Sequence, residues 1–315
     1  TAYGLTALDA ITTGDYNVAI GYGAGTDMTT GNSNNTIGYL AGENIVDGAH
    51  NTFIGRQAGR GTTSASTQVF VGGSAGEANT TGSDNIAIGY SAYQSSDTET
   101  NNLAIGKTAL GGSINGGEYN VAIGNGALQA LTTADGTIAI GFEAGNAVTT
   151  DGGGSIFIGR NAGHDVTDGH SNIMIGEYAG DGFDSEAYNI GIGRGAMGGS
   201  IAGGEYNIGL GAFSLDALTS GDYNTVMGYN AGGVLTTGTR NVIIGSNAAD
   251  AMTTGSSNVI IGDEAVGGGD FTGSSAVIIG RNAGHDLTSG TENTIVGMES
   301  GKDLTVGSYN ATLGH

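Results

Sequence analysis

Asn17-Val18-Ala19-Ile20-Gly21 returns, in close variants, every 17 residues along the chain. Its closing step, an aliphatic residue or Met followed by Gly, recurs at Gly21, Gly38, Gly55, Gly72, Gly89, Gly106, Gly124, Gly141, Gly159, Gly176, Gly193, Gly211, Gly228, Gly245, Gly262, Gly280, Gly297 and Gly314. The spacing stretches to 18 only in the coils ending at Gly124, Gly159, Gly211 and Gly280, and Tyr3-Gly4 is one more copy in phase. A short period kept from end to end marks a solenoid in which one repeat is one coil. Residues 1–315 therefore read as a single repetitive β-solenoid segment of about 18 coils. Both ends fall inside a repeat, and no atypical capping repeat is seen. The expectation is a segment of a longer fibre chain, or a body that other elements cap.

Positions in a coil are counted from the Gly of this step as position 0. Asn stands at −4 in 14 of 18 copies, including Asn17, Asn34, Asn51, Asn85, Asn224, Asn241 and Asn258. Ala stands at +3 in 16 of 18 copies. Further on comes an apolar residue followed by Thr-Thr-Gly or a relative, as in Met28-Thr29-Thr30-Gly31 and Leu235-Thr236-Thr237-Gly238. The runs are short, β-branched and bounded by Gly, Asn, Asp and Ser, which favours strand over helix. This pattern predicts an all-β, parallel β-roll with two short strands per coil and Gly at the corners, where φ is positive. The stacked Asn side chains are expected to hydrogen-bond from coil to coil as a ladder.

Side chains at −1 and −3 share one face of a strand and −2 takes the other. Position −1 is always aliphatic or Met and is assigned to the roll's own core. Position −2 is also largely apolar and becomes an Ile column at Ile243, Ile260, Ile278 and Ile295. A lone chain would wet that second apolar face, so these four residues are assigned to a seam between copies packed in parallel around a common axis.

Composition narrows the function further. Thirty acidic and eight basic residues leave a formal charge of −22, which argues against nucleic acid and anionic membranes as partners, since both need clustered Lys and Arg. Such charge keeps a long fibre soluble. Cys is absent, as are Trp and Pro, so no disulfide is expected. No apolar run has the length to insert in a membrane.

The coil Asn17-x-Ala19-Ile20-Gly21-x-x-Ala24-Gly25, followed by Thr29-Thr30-Gly31, resembles the β-roll repeats of trimeric adhesin heads of the YadA type. It is more similar still to the NTAIG-type repeats of bacteriophage tail fibres. The likeness covers the whole chain, although the adhesin-head coil is usually shorter than 17 residues. It implies a left-handed roll, a homotrimer, an extracellular location on a virion or bacterial surface, and a structural role in host attachment. It places receptor or glycan binding in a tip that this stretch does not contain.

Other chemistries have weaker support in the residues. Gly-x-Gly-x-x-Gly spellings are expected by chance among 64 Gly, and none opens a helix. Gly159-Arg160-Asn161-Ala162-Gly163-His164-Asp165 recurs as Gly280-Arg281-Asn282-Ala283-Gly284-His285-Asp286, seven coils on. It reads as a polar corner with a local charge pair. Corner acids such as Asp27, Glu43, Glu77 and Glu143 lack the calcium-roll spacing and read as solvated. No acidic pair or Ser-His-Asp set stands out from the repeat. No catalytic residue, metal or cofactor is assigned, and the chain is not read as an enzyme. Two near-copies, Gly111–Asn120 and Gly198–Asn207, lie 87 residues apart in 18-residue coils and point to duplication in five-coil blocks. The leading expectation is a fibre shaft. The alternatives are a monomeric ice-binding solenoid and an adhesin whose rod surface binds host glycans. Flat ice-binding arrays want Thr at i and i+2, whereas Thr29-Thr30 and Thr149-Thr150 are adjacent.

Overall fold

The computed structural model describes residues 1–150, 153–200 and 202–314. Asp151, Gly152, Ile201 and His315 lie outside them, so the second of the two near-copied 18-residue segments is described without its Ile201. The chain is an all-β parallel solenoid of about 18 turns, with no helix among the described residues. It divides into two units, Thr1–Ser155 and Ile156–His315. Each unit is built alike. In the first, strands run from Ala2–Tyr3 to Ile138–Ile140; in the second, from Ile156–Ile158 to Ala311–Leu313. Within each unit every strand pairs in parallel with the next at the repeat spacing, as in Val18↔Asn35, Ala19↔Thr36 and Ile20↔Ile37. Where a coil has 18 residues the register absorbs the extra one, as in Leu103↔Val121.

Two expectations are corrected here. Among the described residues each coil carries one strand of two or three residues, not two strands. The apolar-Thr-Thr side is joined to the next coil without a regular strand: the Thr29 amide and hydroxyl both donate to the Val46 carbonyl, at 2.9 and 3.2 Å. The Thr hydroxyls of this column thus belong to a ladder, as at Thr12, Thr132, Thr219, Thr236 and Thr288.

The second correction concerns which way the strand faces. Position −2 points into the chain's own interior: Ala19, Phe53, Phe157, Ile243, Ile260, Ile278 and Ile295 are all 0% exposed. The last four cannot form a seam with another copy, because the coil already encloses them. Positions −1 and −3 point outward, and Ile20, Ile88 and Ile192 are each 39% exposed. The reason is parity. Asn at −4 shares its side of the chain with −2, and the Asn column is buried, so −2 must be buried with it.

The interior is a narrow stack of −4, −2, +3 Ala, +4 and the apolar +7 column, which includes Met28, Ile45, Leu131, Val148 and Leu235. Residues at +4 adopt the left-handed conformation whether or not they are Gly: Leu110 has φ 47°, Leu128 49° and Leu215 53°. Gly therefore does not supply every positive φ at the corners. In several coils the +4 residue is large where the −2 residue is small. Ala87, Ala104 and Ala122 at −2 go with buried Tyr93, Leu110 and Leu128 at +4, and Gly191 and Gly209 with buried Met197 and Leu215. Where −2 is Phe53 or Met174, +4 is Gly59 or Gly180, and a Cβ there would lie 2.7 Å from Phe53 Cδ2 or 2.6 Å from Met174 Sδ. In these coils close packing leaves room for one large group, whereas the coil of Gly262 buries both Ile260 and Val266.

Position 0 does require Gly. Its φ lies near +140°, as in Gly89 and Gly141 (144°), a region that only Gly enters readily. A Cβ on Gly89 would also meet the carbonyl of Gly106 in the next coil.

Candidate assembly face

The outer strand face carries two adjacent aliphatic columns. Position −3 supplies Val18, Val69, Ile86, Leu103, Val121 and Ile138 in the first unit, and −1 supplies Ile or Val throughout β-strands Val18–Ile20 to Ile138–Ile140. The second unit repeats the pattern from Ile156 and Ile158 onward. These side chains are half-buried by their own neighbours and open to solvent on top. Full burial of an aliphatic side chain corresponds to roughly 60–120 Å² at about 25 cal/mol per Å². With about a third exposed, each leaves roughly 40 Å², so the columns of the first unit present on the order of 500 Å². That is at the upper end of the largest patch on an ordinary monomer.

Aromatic residues flank this face on both sides. Where the chain leaves the strand, position +1 holds Tyr22, Tyr39, Tyr90, Phe142 and Tyr229, each about half exposed. Tyr22 and Tyr39 stack at 5.5 Å. Where the chain approaches the strand, −5 holds Tyr16, Tyr119, Tyr188, Tyr206, Tyr223 and Tyr309. Ten of the 13 Tyr therefore border the aliphatic columns. In the second unit Tyr188, Tyr206 and Tyr223 form a continuous stack with centroids 4.9 and 5.0 Å apart. His170 packs edge-on against Tyr188 at 4.9 Å, and the Arg240 guanidinium lies 5.6 Å from the Tyr223 centroid at the other end. An apolar centre bordered by Tyr and Arg has the composition of an interface core and its energetic anchors.

Asn17, Asn34, Asn51, Asn85, Asn224, Asn241 and Asn258 form a hydrogen-bonded column directly beneath this face. The Asn34 amide donates to Asn17 Oδ1 at 2.9 Å, while Asn17 Nδ2 donates to the Gly31 carbonyl at 2.7 Å. Asn51 repeats both bonds with Asn34 Oδ1 and Ala65. Gln68 takes the position between Asn51 and Asn85 and keeps the chain of bonds intact. Toward the C-terminal end the side chains also bond one another, Asn241 Nδ2 donating to Asn224 Oδ1 at 3.0 Å and Asn258 Nδ2 to Asn241 Oδ1 at 3.2 Å. Each coil's Asn thus ties the strand's start to the preceding corner of the next coil, and it does so inside the protein.

Two buried carboxylates were not singled out from the sequence. Glu99 and Glu186 are 3% and 4% exposed and stand at +10, usually a Gly position. Glu99 accepts from the amides of Asp97, Thr98 and Gly116 at 3.0–3.1 Å. Glu186 accepts from Asp184 at 2.9 Å and Gly203 at 2.8 Å. Gly116 and Gly203 belong to the 18-residue coils that follow, so each Glu holds the extra residue of its neighbour. The 87-residue interval between Glu99 and Glu186 matches that of the duplicated segments, and that interval was the available signal.

At the recurring polar corners His164 Nδ1 lies 2.5 Å from Asp165 Oδ1 and His285 Nδ1 2.6 Å from Asp286 Oδ1. Among the described residues no three His, Cys, Asp or Glu converge on a point that could hold a metal. No helix among them is long and apolar enough to cross a membrane. Burial raises the carboxyls of Asp181, Asp216 and Asp250 above the usual Asp value, with the charge of Asp165 adding to the effect at Asp181 and that of Glu264 at Asp250. Burial likewise raises the Tyr93 phenol, whose hydroxyl donates to the Glu99 carbonyl at 3.0 Å. No protein-family model matches the chain, and neither does any curated protein or solved structure.

Proposed function

We propose that this chain is a structural shaft, of a phage tail fibre or a cell-surface trimeric adhesin, that assembles with copies of itself through the outer strand face. The observation that carries the reading is the double column of Val and Ile at −3 and −1, open to solvent in a single chain and bordered by Tyr. Covering on the order of 500 Å² in one unit at about 25 cal/mol per Å² supplies on the order of 10 kcal/mol per chain. With the bordering Tyr included, the face approaches the roughly 800 Å² per partner of a standard interface. Three chains, left-handed winding, an extracellular setting and support of host attachment rest on the resemblance to fibre and adhesin repeats. The mechanism is mechanical: continuous backbone and side-chain ladders resist local opening, and packing between chains slows dissociation.

Native mass spectrometry tests the reading. The chain should assemble at micromolar concentration, with three copies expected. Ile54→Asp with Ile88→Asp, both on the outer face, should give a folded monomer with its β-sheet circular dichroism retained. A wild-type chain that stays monomeric rejects the proposal.

A further inference from the structure

Charge is sorted across the assembly face. Positions −4 to 0 carry no charged residue in any coil. Five of the eight Lys and Arg stand at +1, on the margin where the chain leaves the strand: Arg56 and Lys107 in the first unit, Arg160, Arg194 and Arg281 in the second. Only two of the 30 acids, Glu177 and Asp263, share that column. The opposite margin, at −6 and −5, is acidic. It holds Asp15, Asp84, Glu118 and Asp135 in the first unit and Glu205, Asp222 and Glu292 in the second, against one cation, Arg240. Arg160 and Arg194 lie 3.1 and 3.7 Å from Glu177. Among the described residues Arg56, Lys107 and Arg281 form no ion pair within the chain.

We infer that the cationic margin of one copy seats against the acidic margin of the next, so that the copies run parallel around a common axis. The inference rests on the proposed self-assembly and adds which edges meet. Rotation about an axis parallel to the solenoid brings the trailing margin of each chain opposite the leading margin of its neighbour, whatever the number of copies. Two faces related by a perpendicular two-fold would instead oppose cations to cations and acids to acids, which is unfavourable. In a chain of charge −22, an edge that gathers five of the eight cations is complementary to an acidic edge, and the copy beside it supplies one.

The test is charge reversal followed by native mass measurement at about 0.15 M salt, where unpaired charges interact over only ~8 Å. Arg56→Glu/Lys107→Glu/Arg281→Glu should weaken assembly at least tenfold. Asp84→Lys/Glu118→Lys/Glu292→Lys should weaken it equally, although it moves the chain toward neutrality and lowers overall repulsion. Combining the six changes should restore assembly, and circular dichroism checks that each chain is folded. Because the chain lacks Cys, orientation is read separately with Ile37→Cys and Ile140→Cys and a short bis-maleimide. Parallel copies give 37–37 and 140–140 links. An assembled wild type whose mass neither reversal changes, or whose links join 37 to 140, overturns the inference and leaves the shaft reading standing. A monomeric wild type overturns both.

Discussion

Phe53 and Gly59 face one another across the interior of a single coil, and exchanging their sizes tests the packing rule directly. Phe53 is fully buried and stacks on Phe70 at 5.2 Å, with ring planes 12° apart. Phe53→Ala should cost about 3–5 kcal/mol from lost burial and the cavity left behind. Gly59→Leu alone should cost about 2–4 kcal/mol. Its Cβ would stand 2.7 Å from three atoms of the Phe53 ring, and Leu at φ 58° adds the left-handed strain. The double variant recreates the Ala122/Leu128 arrangement found elsewhere in the chain, where Leu128 is buried at φ 49°. It should lose only about 1–2 kcal/mol, so the two changes should couple by at least ~3 kcal/mol in the favourable direction. Urea unfolding followed by circular dichroism, with amide hydrogen exchange at coils on either side, measures this in a chain whose repeats need not unfold as one. Additive losses would refute the idea that −2 and +4 share one interior volume.

Four further outcomes follow from other ladders. Gly228→Ala, at φ 141° with a Cβ meeting the Gly245 backbone, should cost about 3 kcal/mol or more, whereas Gly136→Ala, which meets nothing within 4 Å, should cost about 1 kcal/mol; equal melting shifts would contradict this. Asn241→Ala strips the Asn258 amide of its 3.0 Å acceptor and leaves the Gly255 carbonyl without its 2.8 Å donor, so a loss of about 2–4 kcal/mol and faster exchange of the Asn258 amide are expected. Glu99→Ala should destabilise by about 2–4 kcal/mol through the amides of Asp97, Thr98 and Gly116, with the increase in hydrogen exchange centred on Gly116. For pH, Asp181, Asp216 and Asp250 bind protons more tightly folded than unfolded. Their contribution to stability therefore rises as pH falls from neutrality toward the usual carboxylate range. Replacing all three by Asn should raise the melting temperature at pH 7 and flatten that rise; an unchanged slope would sink the assignment.

The amino-acid sequence alone determined the solenoid, its period, the Gly column and the Asn ladder, because each is a repeat-by-repeat constraint that needs no knowledge of how the coil closes. It also put −4 and −2 on one side of the strand, without saying that this side is buried. What only the tertiary structure decided is which side of the strand is the interior. All three strand positions are apolar, so alternation in Val18-Ala19-Ile20 carries no sign, and Ile243, Ile260, Ile278 and Ile295 turned inward while Ile20, Ile54 and Ile88 turned out. Closure of the coil settled it. The left-handed backbone at +4 aims Leu110, Leu128 and Leu215 into the interior that Phe53, Phe157 and Ile278 fill from the strand, and a ring at −2 such as Phe53 leaves no room for a side chain at +4 of its own coil.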